Sequence, residues 1–140
     1  MVDEGISFVK EALQMEPVQV QLEVGEFIDK LTALFPQDRI DGGRKTYLFA
    51  LAVKNRSTRK TIQYVAVTTE NHCSGNHTVG KGKFRIQVKT KDGEPGTDWH
   101  HCRFWNKGGG VEWWEIDPHN QTITKEIIEC VLKARDCMAG

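Results

Sequence analysis

The chain has 140 residues, 39% hydrophobic and 27% charged, with 19 basic and 19 acidic side chains. That length suits one domain, residues 1–140, around one core, and the apolar content excludes a wholly disordered chain. The longest apolar run, Tyr47 to Val53, is too short for a membrane helix, and the acidic start at Asp3 and Glu4 is not a secretory leader, so a cytoplasmic setting without membrane contact is expected.

The zero net charge hides a segregation. Residues 1–38 carry two basic and eight acidic side chains, residues 39–91 twelve and two, and residues 92–140 five and nine. A basic block of that size is a local field able to steer an anionic partner.

Along the chain, Ile6, Val9 and Leu13 fall at helical spacing, and Pro17 ends a short amphipathic helix over Gly5 to Met15. Val18, Val20, Leu22 and Val24 then alternate with polar residues, the period of a strand or an extended lead-in. Val24, Phe27, Ile28, Leu31, Leu34 and Phe35 trace the stripe of a second helix that Pro36 stops. Gln37 to Gly43 reads as a loop with a Gly-Gly break.

Strands follow. Thr46 to Lys54 is apolar at nearly every position, as in a central strand buried on both faces, and Lys60 to Thr69 returns beside it. Phe84, Ile86 and Val88 alternate with Arg85, Gln87 and Lys89, the pattern of a half-buried strand. Trp99 to Trp105 and Val111 to Ile116 flank Asn106 to Gly110 as a hairpin. Thr124 is an N-cap for a last helix over Lys125 to Met138. The expected class is α+β, an antiparallel meander of about five strands with N-terminal helices and a C-terminal helix on one face.

Three features carry chemistry. In the strand from Lys83 to Lys91, residues two apart share a face, so Lys83, Arg85, Lys89 and Lys91 are expected to form a cationic ladder on the solvent side. The loop Arg39 to Lys45 and the hairpin around Arg56 add to it. Phosphates are the usual partner of such a surface, and the acidic helices are the competing intramolecular one. Aromatic density is the second feature. Trp105 and Trp113, with Arg103, are expected at a surface where they could stack bases or meet a protein. The third is Cys73, His77, His100 and Cys102, a possible zinc ligand set from a loop and a strand, although His-x-Cys is not a common ligand spacing.

No nucleophile elbow, zinc-protease helix or phosphate-binding glycine loop occurs, so an enzyme is not the leading expectation. The leading reading is a non-enzymatic module that binds RNA, single strands or another polyanion through Arg56, Lys83, Arg85, Lys89, Lys91, Arg103, Trp105 and Trp113. The alternatives are a protein-interaction module using the Trp-rich hairpin 99–116 and a zinc-dependent or Cys/His enzyme.

Overall fold

The computed structural model describes residues 4–73, 78–89 and 111–140. The elements are α1 (Glu4–Gln14), α2 (Val18–Leu34), β1 (Arg39–Gly42), β2 (Phe49–Lys54), β3 (Thr61–Thr69), β4 (Phe84–Lys89), β5 (Val111–Ile116) and α3 (Lys125–Ala139). The strands form one antiparallel sheet in the order β1-β2-β3-β4-β5. This is the expected α+β meander with helices from both ends of the chain. Among the described residues no helix is long and apolar enough to cross a membrane.

Two elements differ from the sequence expectation. Val18 to Val24 is helical, continuous with the second helix. Val20 and Val24 are four apart, which fits a helix as well as an alternation, and they join Phe27, Ile28 and Leu31 in one buried stripe. Val18 and Leu22, the other members of the alternation, are left exposed. The second difference is β1, which lies where the Gly-Gly break suggested a loop. Ile40 pairs with Leu51 and Gly42 with Phe49. The glycines mark a close approach instead. A Cβ on Gly42 would collide with the Leu48 carbonyl and the Val9 side chain, and Gly43 has a φ of +65°.

One face of the sheet carries the core. Phe49, Leu51, Val53, Val65, Val67, Phe84, Ile86, Val88 and Ile116 pack there with the buried stripes of α2 and α3. Each large apolar side chain buried in this way contributes about 1.5–3 kcal/mol. The register shifts by one residue between Leu51 and Ala52, so Tyr64 is an extra residue in β3, and both Tyr64 and Val65 lie in the core.

Polar contacts lock α3 to this frame. Thr124 accepts a hydrogen bond from the Ile127 amide and caps the first turn. Arg135 donates to both oxygens of buried Asp38, at 2.7 and 2.8 Å, and its guanidinium lies over the Phe35 ring. Tyr64 donates to the same carboxylate at 2.7 Å. Burial and the Asp38 charge push the Tyr64 hydroxyl far above its ordinary pKa. At the far end, the Asn55 side chain donates to the Met138 carbonyl and the Arg56 amide to that of Ala139.

Candidate functional site

The second face of the sheet is polar. Pairing places Asp41, Ala50, Ala52, Gln63, Ala66, Thr68, Arg85, Gln87, Trp113 and Glu115 on it, opposite the core residues. The cationic ladder expected here is not a solvent-facing one. Arg85 is 8% exposed and Lys89 1% exposed. Arg85 stands opposite Glu115 on β5 and donates to it at 3.2 Å, and also donates to the Thr78 carbonyl at 3.4 Å. Its guanidinium carbon lies 4.6 Å from the centre of the Trp113 ring. Lys83 precedes the strand and is part-buried. The physical reason is simple: alternation assigns residues to two faces but does not say that the second face is wet. Trp113 and Trp114 do face opposite sides, Trp114 packing on the core and Trp113 under Arg85. Lys91, Arg103 and Trp105 lie outside the described residues.

Of the cysteine and histidine set, only Cys73 is described. Its thiol donates to the Glu70 carbonyl, 3.5 Å away. His77, His100 and Cys102 lie outside the described residues, and among those described no three His, Cys, Asp or Glu side chains gather as metal ligands would. His72 points elsewhere, with Nδ1 2.7 Å from the Arg44 carbonyl.

Apart from Lys81, the exposed positive charge of the described part of residues 39–91 sits in two hairpins instead. Arg39, Arg44 and Lys45 belong to β1 and the β1–β2 turn; Lys54, Arg56, Arg59 and Lys60 belong to the β2–β3 turn. All seven are exposed. Residues 39–60 contain one acid, Asp41. Among the described residues the only ion pair in this stretch is Arg44–Asp41, at 2.8 Å. The acidic helices expected to neutralise the block lie over the core face, and Asp38 is engaged by Arg135.

The second turn is held in shape by buried Asn55, whose Oδ1 accepts from the Ser57 and Thr58 amides, both at 2.9 Å. Arg59 completes it with a φ of 66°. The two hairpin ends are separated by the length of β2, about 17 Å for six residues.

Between them, at the β1 edge, is a cavity of about 420 Å³ lined by Arg39, Asp41, Arg44, Lys45, Thr46, Tyr47 and Gln63. A chain of hydrogen bonds runs through its wall. Gln63 Nε2 donates to the Tyr47 hydroxyl at 3.2 Å, and Tyr47 donates to Asp41 Oδ2 at 2.6 Å. Arg44 Nε and the Gly42 amide donate to Asp41 Oδ1. Burial pushes the Asp41 pKa up, but the bonds from Tyr47 and Arg44, the Arg44 charge and the Gly42 amide outweigh it, and the net shift is downward. Tyr47 is pushed up to about 12, by burial first and by the Asp41 carboxylate second. Gln63 Oε1 is buried with no hydrogen-bond partner among the described residues, as are Thr68 Oγ1 and both amide atoms of Gln87 on the same face.

Sequence reasoning missed Asp41, Tyr47 and Gln63. The available signal was Gln63, a lone amide inside the apolar run Ile62 to Val67. No family model, curated protein or solved structure matches this chain.

Proposed function

We propose that this protein is a non-enzymatic module that binds a polyanion, with single-stranded nucleic acid, RNA foremost, as the ligand class. The observation that carries the reading is the pair of hairpins with seven exposed cations, six of them without an ion pair among the described residues. Like charges held this close repel one another, and an anion laid across them relieves that repulsion. The separation of the two turns, about 17 Å, with Arg39 between them opposite Ala52, favours a polymer over a small ion, because a single phosphate reaches only one end.

The interface therefore runs along β1 and β2 rather than along β4. Arg56 remains in it; Arg85 and Lys89 serve the sheet's polar interior. A cytoplasmic setting agrees with free thiols at Cys73, Cys130 and Cys137.

The test is fluorescence anisotropy of a labelled single-stranded RNA against the full chain at rising salt. Seven phosphate contacts give a slope of log affinity on log salt of about −5, and four contacts about −3. Absence of binding at low salt would defeat the reading. Binding that is indifferent to salt would place the contacts elsewhere on the molecule.

A further inference from the structure

We infer that the cavity at the β1 edge is a nucleobase pocket, in which the Gln63 carboxamide meets the edge of one base while Arg39 and Lys45 hold its phosphate. This rests on the polyanion reading and adds a requirement that charge alone does not make.

The requirement follows from the direction of the hydrogen bonds. Arg44 and the Gly42 amide hold Asp41 as a carboxylate, which only accepts. Tyr47 has one proton and gives it to Asp41 at 2.6 Å. Its oxygen must then accept from Gln63, which fixes Nε2 as the atom 3.2 Å away and turns Oε1 from it. Gln63 is 6% exposed and lines the cavity, so Oε1 is a buried acceptor with no partner among the described residues. Leaving such an atom unmet is unfavourable.

Sulfate, a carboxylate and the phosphodiester of a nucleic-acid chain cannot satisfy it, since at neutral pH they only accept. The occupant must bring an N–H or O–H donor into a site rimmed by Arg39 and Lys45. A base with an exocyclic amino group attached to a phosphate chain has both. Adenine fits best: its amino group donates to Oε1 and its adjacent ring nitrogen accepts the second proton of Nε2. A volume of about 420 Å³ lies within the range of small-molecule sites and leaves room for base and sugar.

The experiment compares three labelled strands of equal length and charge at one salt concentration: oligoadenylate, oligouridylate and an abasic strand. Oligoadenylate should bind at least about tenfold tighter than the abasic strand, with oligouridylate between them. Gln63→Leu should abolish the preference, so that oligoadenylate and the abasic strand bind the variant equally. Equal affinity of the wild type for adenine-bearing and abasic strands overturns the pocket and leaves polyanion binding standing. Failure of all three strands to bind overturns both. If Gln63→Leu does not fold, the side-chain amide resonance of Gln63 in the wild type decides: it should move on addition of adenosine 5′-monophosphate and not with ribose 5-phosphate, and an unmoved signal overturns the inference.

Discussion

Arg85 and Lys89 in β4 and the seven cations of the two hairpins come from the same basic stretch, residues 39–91, yet they differ in physical state. Arg85 is buried, faces Glu115 and covers Trp113, and Lys89 is almost wholly buried. The hairpin cations are exposed, and Arg44–Asp41 is their only ion pair among the described residues. Charge density in a sequence therefore does not identify a ligand surface. What separates the two groups is the position of the counter-charge. Glu115 stands in register with Arg85 across a ladder, whereas among the described residues no acid of α1 or α2 pairs with a hairpin cation.

Breaking a buried pair should have the largest effect on stability. Asp38→Ala leaves Arg135 without its carboxylate and Tyr64 without its acceptor, and should cost about 3 kcal/mol by urea denaturation. Arg85→Met keeps the bulk over Trp113 but strands Glu115, and should cost about 2 kcal/mol. A loss as small as that of a surface mutation would mean that Arg85 is not structural, and the contrast with the hairpins would fail.

The hairpin end of the comparison has its own pH signature. Tyr47 has a folded pKa raised above its unfolded value, so its contribution is fully present below about pH 10 and is lost as pH rises through about 12. Ultraviolet titration should show neither Tyr47 nor Tyr64 ionised at about pH 10, where a free tyrosine is half ionised. Normal titration of both would contradict the buried hydrogen bonds to Asp41 and Asp38.

Smaller effects separate the two regions further. Gln87 is buried with both amide atoms unpartnered among the described residues, so Gln87→Leu should be neutral or stabilising by up to about 1 kcal/mol. Arg56→Ala and Lys60→Ala should each change stability by no more than about 0.5 kcal/mol while weakening RNA binding.

Much of this architecture was legible beforehand. The Thr124 cap, the apolar stripe of α3 and the alternation of β4 each act locally, and their elements fall where those signals put them. β1 was not legible, because a four-residue edge strand ending on the first glycine of a Gly-Gly pair owes its existence to β2 and to the close approach of α1. The site was half legible. Composition located the basic block, but the status of each cation depends on cross-strand partners such as Glu115, which is 30 residues from Arg85 in sequence. The chain from Gln63 through Tyr47 to Asp41 joins three strands' surroundings in the same way and has no signature along the sequence.

The central claim is that the hairpin cations, not those of β4, form the polyanion surface. The most direct measurement is RNA affinity between about 50 and 200 mM salt, for the wild type and for a variant with Arg39, Lys45, Arg56 and Lys60 changed to alanine. The wild type should lose about a thousandfold in affinity across that range if all seven cations are engaged, and the variant's slope should be shallower by about 3. A variant that keeps the wild-type affinity and slope would contradict the claim.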